Sequence, residues 1–284
     1  MIRSKYFVVG CLLLALGVSF TFAQWQRRGR LRGGNEYRYS DPRGGAPDWE
    51  NDRQFSEDVF TFVRIRYSSY GRGGYGRRGG SWATDYPDSD LNFSFRLHQL
   101  TAMEVNPDGL ILELTDERLF DYPFIYICEP GNLVFSEEEV DNLRRYLLNG
   151  GFLMVDDFWG PYEWENFEYE FRRVFPNRPM EELPLEHAIF HAVFDLEERP
   201  QIPAISQAIR GRSRGITWER RDARQVHYKA VYDDEDRMMA IICHNTDLGD
   251  GWEEEGVDEW YFHEFSEKKA YPLGINIVFY AMTH

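Results

Sequence analysis

The sequence predicts an open α/β fold, a mostly parallel sheet with helices on both faces, and three observations carry that expectation. Apolar runs of strand length alternate along the chain with segments of helical period, the arrangement of βαβ units. The connections between strands and the helices after them are short. One stretch, residues 143–160, joins a helix end, a tight Gly150-Gly151 turn, a strand apolar on both faces and two carboxylates in succession. Ligands of open α/β sheets bind outside the carboxyl ends of the strands, so Asp156 and Asp157 are expected at the rim of such a crevice.

Taken in order, Phe60-Thr-Phe-Val-Arg-Ile-Arg-Tyr67 alternates as a strand, which sets the start of the folded domain near Val59. The turn-rich segment from Trp82, with Asp85, Asp88 and Asp90, leads into a helix lined by Phe93, Leu97 and Leu100, which Asp88 or Ser89 can cap. Leu110–Leu114 reads as a strand, Thr115-Asp116 as the cap of a short helix, and Phe124–Cys128 as a third strand ending in Glu129-Pro-Gly. Ser136 and Glu139 have capping-box spacing, in which the hydroxyl accepts a free backbone N–H and the carboxylate accepts the N-cap amide. A helix therefore starts at about residue 137. Val140, Leu143 and Leu147 share its apolar face, Gly150 closes it in the left-handed region, and Phe152–Val155 is the strand that follows. Trp164–Phe175 is a further amphipathic helix stopped by Pro176. Gln225–Tyr232 and Met238–Cys243 read as an antiparallel hairpin, and Tyr261–Met282 as a helical segment interrupted near Pro272.

With 284 residues, 43% hydrophobic and 16% aromatic, the chain can bury a substantial core. Residues 1–23 stand apart. Arg3 and Lys5 precede an apolar run from Tyr6 to Phe22, and Thr21-Phe22-Ala23 offers small residues at −3 and −1 of a cleavage site, the pattern of a secretory signal peptide. That run of 17 residues is shorter than the roughly 20 a membrane span needs, so an exported periplasmic or envelope protein without a span after cleavage is expected. Without Arg3 and Lys5 the chain has 30 basic and 48 acidic residues, a net charge of −18. Residues 24–80 hold twelve Arg and seven acids; residues 81–284 hold 18 basic and 41 acidic residues, a net −23 that disfavours nucleic-acid binding by the main domain. Residues 24–58 and the run 71–80 are rich in Arg and Gly without apolar period. They read as a flexible segment and a loop, against which stand contact with RNA, with an acidic polymer or with the domain's own acidic surface. Residues 59–284 form the single α/β domain of this reading.

From Phe60 to His284 the sequence resembles the bacterial family known as domain of unknown function 4159. The resemblance rests on Asp85-Tyr-Pro-Asp-Ser-Asp-Leu-Asn-Phe93, Gly150-Gly-Phe-Leu-Met-Val-Asp-Asp-Phe-Trp-Gly160, His244-Asn-Thr-Asp-Leu-Gly-Asp-Gly-Trp-Glu253 and the terminal Ala-Met-Thr-His284. The unit Leu143-x-x-Tyr146-Leu147-x-x-Gly150-Gly151-x-Leu153 is also similar to that of class I glutamine amidotransferase-like folds, which implies a flavodoxin-like sheet. Those enzymes place a cysteine on the elbow after the Gly-Gly strand. This chain has Asp156-Asp157 there, so the resemblance does not imply amidotransferase activity.

The candidate chemistry is acidic. Asp156 and Asp157 are adjacent, so on an extended strand end they point to opposite sides and cannot share one proton; the structural alternative is that one caps a turn or helix and the other is solvated. The loop His244–Trp252 follows a strand and groups His244, Asn245, Asp247, Asp250 and Trp252, as binding loops do; its calcium-loop likeness is loose, and the alternative is a turn whose Asn and Asp satisfy the backbone. His187-x-x-x-His191 has metal-ligand spacing if helical, against a packing or capping role. Cys128 and Cys243 can pair as a disulfide or stand as separate buried thiols. No G-x-S-x-G, phosphate-binding glycine fingerprint or local Cys-His motif occurs, and the sequence assigns no cofactor. Three readings follow: a domain binding a small polar ligand, a glycan or a partner protein at a rim made by Asp85–Asp90, Asp116, Asp156, Asp157 and the His244 loop, with Trp82, Trp159 and Trp252 as flat faces for a sugar; an Asp/His hydrolase, metal-assisted or not; or a structural interaction module.

Overall fold

The computed structural model describes residues 43–52, 58–70 and 81–284; the signal-like residues 1–23, the rest of the Arg/Gly-rich segment and the run 71–80 lie outside the described residues. Along the chain the strands are β1 (Val63–Ile65), β2 (Ser68–Ser69), β3 (Leu110–Leu112), β4 (Phe124–Cys128), β5 (Leu133–Val134), β6 (Phe152–Asp156), β7 (Glu181–Glu182), β8 (His227–Tyr232) and β9 (Met238–His244). The helices are α1 (Asp88–Leu100), α2 (Glu137–Leu148), α3 (Gly160–Val174), α4 (Ile205–Gly211), α5 (Leu248–Glu253), α6 (Glu259–Tyr261) and α7 (Tyr271–Thr283). Seven strands form one sheet in the order β3-β1-β4-β6-β9-β8-β7, while β2 and β5 pair separately. Neighbours from β3 to β9 are parallel and the β9-β8-β7 edge is antiparallel. Numbered along the chain, the five parallel strands lie in the order 2-1-3-4-5 of flavodoxin-like sheets, with the switch point between β1 and β4.

Strands β4 and β6 are buried at every residue, as parallel strands covered on both sides must be, and this is why their sequences are unbroken apolar runs. One face carries Phe62, Tyr126, Cys128, Met154, Ile241 and Cys243 beneath α1, α5 and α7; the other carries Val63, Ile125, Ile127, Val155 and Ile242 beneath α2 and α3. Both capping-box bonds at the start of α2 are made: Glu139 N–H donates to Ser136 Oγ at 3.2 Å, and Ser136 N–H donates to Glu139 Oε2 at 2.7 Å.

The two turn glycines have different duties. Gly150 adopts φ +101°, whereas Gly151 lies against the Tyr146 ring, where an added Cβ would sit 2.3 Å from Cε1. Tyr146 is itself buried, and its hydroxyl donates to the Tyr122 carbonyl at 2.9 Å, so the ring cannot swing aside. Gly151→Ala is therefore expected to cost about 1–3 kcal/mol, read as a lowered midpoint in urea with unchanged slope.

Three elements depart from the sequence expectation. Helix α3 starts at Gly160 instead of Trp164, with a proline in its first turn. The C-terminal segment is not interrupted at Pro272: Phe262–Ala270 takes the wider i→i+5 turn and runs on without a break into α7, whose first turn holds Pro272. Residues 43–52, placed by sequence in the flexible segment, lie against the domain. Trp49 stacks on His98 with centroids 4.6 Å apart and donates to the Val105 carbonyl at 2.9 Å. A single aromatic anchor gives no periodic signal, which is why the boundary fell at Val59. Among the described residues no helix is long and apolar enough to cross a membrane.

Candidate functional site

Three of the five parallel strands end in sharp elbows. Glu129 follows β4 with φ 48°, Asp157 follows β6 with φ 58°, and Asn245 follows β9 with φ 61°; Asp85, ahead of α1, has φ 63°. Non-glycine residues seldom occupy this left-handed region, and where they do the strain tends to mark a functional or tightly constrained site. These elbows turn carboxylates from separate segments towards one place. A carboxylate oxygen of Asp85, the Cys128 thiol and a carboxylate oxygen of Asp157 lie within 4.8 Å of one another, and so do oxygens of Asp85, Asp250 and Glu253.

Their burial sets their proton affinity. Desolvation first, and neighbouring carboxylates second, hold Asp85, Asp157 and Asp247 well above the usual carboxylate range. Burial pushes Asp250 up to about 8 and, against its hydrogen bonds, Asp156 and Glu129 up to about 7. The cluster thus holds protons at neutral pH or recruits a cation.

Asp156 and Asp157 divide their work, and the structural alternative in which one of them is solvated does not hold: Asp156 is fully buried and Asp157 is 7% exposed. Asp156 Oδ2 accepts the N–H groups of Leu248 and Gly249 at 2.8 and 3.1 Å and the Tyr126 hydroxyl at 3.3 Å, so it ties β6 to the start of α5. Its Oδ1 has no partner. Asp157 Oδ1 accepts the Trp159 indole N–H at 3.2 Å, and its Oδ2 lies 4.0 Å from Cys128 Sγ.

Below the cluster lies Arg64 of β1, fully buried and missed by sequence because one basic residue between Val63 and Ile65 looks like a solvent-facing position. All five of its donors are engaged: Asp90, the Trp82 and Thr84 carbonyls and Ser89 Oγ accept them at 2.6–3.1 Å. Asp90, expected at the ligand rim, is the counter-ion of this arginine.

Other expected residues fall elsewhere. The His244–Trp252 segment is not one loop: His244 ends β9, and Asp247 caps α5 by accepting the Asp250 N–H at 2.7 Å, so Asp-x-x-Asp here is a helix start and not a calcium pattern. Asp250 Oδ2 accepts the Ile205 N–H at 2.5 Å. His244 faces the opposite side, against Phe158 and Trp164, with Nε2 at 3.1 Å from the Gly160 carbonyl. Asn245 accepts the Gly160 N–H at 2.8 Å and donates to the Gln225 carbonyl at 2.7 Å. Trp159 and Trp252 are buried, the latter against Phe93 at 4.4 Å, so neither offers a flat face to a sugar; Trp82 is half-buried. Asp88 lies in the first turn of α1 beside Gly44. Asp116, after edge strand β3, is paired with Arg118 at 2.7 Å, which holds its carboxyl at about 2.

His187 and His191 do not share a helix face. They flank the 3₁₀ turn Ala188–Phe190: His187 Nδ1 accepts the Ile189 N–H, and His191 contacts Asp195 and the Leu185 carbonyl. Cys128 and Cys243 are separate buried thiols. β6 runs between their strands, which puts their Cα atoms roughly 9–10 Å apart, beyond the span of a disulfide.

The clearest surface hollows lie at the other end of the sheet. One of ≈ 490 Å³ is bordered by Arg144, Phe175 and Arg178, and one of ≈ 380 Å³ by Phe120, Tyr146 and Gly151. The first is lined by Arg144, Arg178 and Asp234, with Arg178 paired to Asp234, and neither hollow gathers several carboxylates, so the chemistry points to the acidic rim. No curated protein matches the chain. The profile of the family described as domain of unknown function (DUF4159) matches residues 61–282, and the chain belongs to that family.

Proposed function

We propose that the chain is an exported α/β domain that binds a small polar ligand carrying positive charge at its acidic rim, without amidotransferase activity. The observation that carries this reading is the convergence of Asp85, Asp157, Asp247 and Asp250 into one cluster, half-buried at Asp85 and buried at the other three, near a guanidinium already neutralised by Asp90. Buried acids repel one another and lose hydration, so an incoming cation offsets both costs. A glycan is less well supported, because Trp159 and Trp252 are enclosed. A purely structural role is disfavoured for the same reason that the cluster is costly. The likeness of the Gly-Gly strand to class I glutamine amidotransferase-like folds supports the location, since Asp157 occupies the elbow where those enzymes carry their cysteine. That position also favours a second reading, a hydrolase in which Asp157 moves a proton. His244 points away from it, so such chemistry needs another partner. Export rests on the pattern of residues 1–23.

Asp157→Asn tests the reading. The amide keeps an acceptor for the Trp159 indole and cannot ionise, so it escapes the cost of a buried like charge that grows as the pH rises; stability above neutral pH should rise by about 0.5–2 kcal/mol while binding of amines, guanidinium compounds or divalent metals weakens. Clear destabilisation with every binding signal unchanged would assign Asp157 to structure and return the site to residues 245–252.

A further inference from the structure

We propose that Asp85, Cys128 and Asp157 form a binding site for one thiolate-accepting divalent metal ion of the zinc type. This rests on the reading of the rim as a cation-binding site and names the cation.

Three separate segments deliver the ligands: the loop before α1, the end of β4 and the elbow after β6. A tetrahedral zinc, with Zn–S near 2.3 Å and Zn–O about 2.0–2.2 Å, sets S···O edges at roughly 3.5 Å. Cys128 Sγ and Asp157 Oδ2 stand 4.0 Å apart, and all three ligand atoms lie within 4.8 Å, so small side-chain shifts close the site. Three protein ligands leave a fourth position for water or a ligand, as in zinc sites that act on substrates.

Two buried oxygens point independently to a missing positive partner. Asp85 Oδ2 is buried without a hydrogen-bond partner, and so is Oδ1 of Asp156, whose residue is fully buried and pairs in register with Cys128. Native structures rarely leave such atoms unsatisfied, and a bound ion is one of the standard reasons. The backbone makes room for them: a Cβ on Gly249 would come 2.5 Å from Asp85 Oδ2 and 3.2 Å from the Tyr126 hydroxyl that donates to Asp156.

The alternative set of Asp85, Asp250 and Glu253 is all oxygen and would suit magnesium or calcium. Asp250, however, already accepts the Ile205 N–H and lies in the first turn of α5. Asp157 is better prepared: the Trp159 indole fixes Oδ1 and leaves Oδ2 facing the thiol, the outer hydrogen bond that metal-bound carboxylates commonly have. A thiol adds nothing to an ammonium or guanidinium site but selects zinc-like metals over hard cations.

The test uses the full mature chain titrated with zinc and, separately, with cobalt(II), whose thiolate complexes show a charge-transfer absorption in the near ultraviolet. Expected are one equivalent of zinc, a raised melting temperature and a cobalt–thiolate band. Cys128→Ser should abolish the band, and Asp85→Asn and Asp157→Asn should each weaken zinc at least about tenfold, while Cys243→Ser keeps the band. Circular dichroism identifies any variant that fails to fold, in which case the two Asp variants decide. Metal binding without the thiolate band, or equally tight in the Asp variants, overturns the proposal. If zinc and cobalt fail to bind while organic cations do, this inference falls and the broader reading stands; if neither class binds, both fall.

Discussion

Arg64→Met is expected to destabilise the protein by about 3–5 kcal/mol, because it removes the cation from a fully enclosed ion pair and leaves Asp90 charged and buried. The guanidinium lies 5.0 Å over the Tyr126 ring and has every donor engaged, so the methionine leaves the Trp82 and Thr84 carbonyls and Asp90 without the donors they now have. Its loss also removes the positive charge that favours the ionised form of Asp85. Asp90→Asn should cost less, since the carboxylates of the rim can take up part of the stranded guanidinium charge, and that asymmetry separates a shared electrostatic centre from an isolated pair. The double variant Arg64→Met/Asp90→Leu should recover most of the loss, as apolar replacements of buried ion pairs often do. Urea unfolding at pH 7 reads all three. A loss below about 1 kcal/mol for Arg64→Met would place the pair in a solvated setting.

How much of this was legible beforehand follows from how far each signal reaches along the chain. The capping box, the Gly-Gly turn and the apolar runs of β4 and β6 are local, and the structure has them where the sequence put them. The position of β6 in the parallel core, with Asp157 at its elbow, followed from strand alternation. Arg64 did not, because only the register with Tyr126 and the arrival of Asp90 from α1 turn an ordinary-looking strand position into a buried cation. Glu129 was hidden by its Pro-Gly neighbours, which read as a simple turn. The Asp247-x-x-Asp250 spacing did carry a helix-start signal, but a six-residue helix has too little period to be seen. His187 and His191 show the converse error: their i, i+4 spacing has meaning only on an α-helix, and the chain there makes a single 3₁₀ turn.

The contribution of His244 to stability should fall by about 2 kcal/mol between pH 7 and pH 5. The ring is 6% exposed and hemmed in by Phe158, Trp164 and His227, with Lys229 nearby and Glu182 opposing. Burial lowers its pKa from 6.5 to about 4. Below pH 6.5 the unfolded chain therefore takes up a proton that the folded chain refuses, so stability declines until the folded ring also protonates near pH 4; the whole span is worth about 3 kcal/mol. The rim carboxyls act in the opposite sense. With Asp156 raised to about 7 and Asp250 to about 8, the unfolded chain ionises first as pH rises, and their contribution is greatest in acid and fades towards neutrality. Because two carboxyls move further than one imidazole, the parent protein should still gain stability from pH 7 to pH 5.5. The histidine is isolated by subtraction: His244→Gln, which keeps a donor for the Gly160 carbonyl, should gain about 2 kcal/mol more than the parent on going from pH 7 to pH 5. Parallel pH profiles for the two proteins would show that the ring titrates alike in both states, and that His244 is not enclosed in solution.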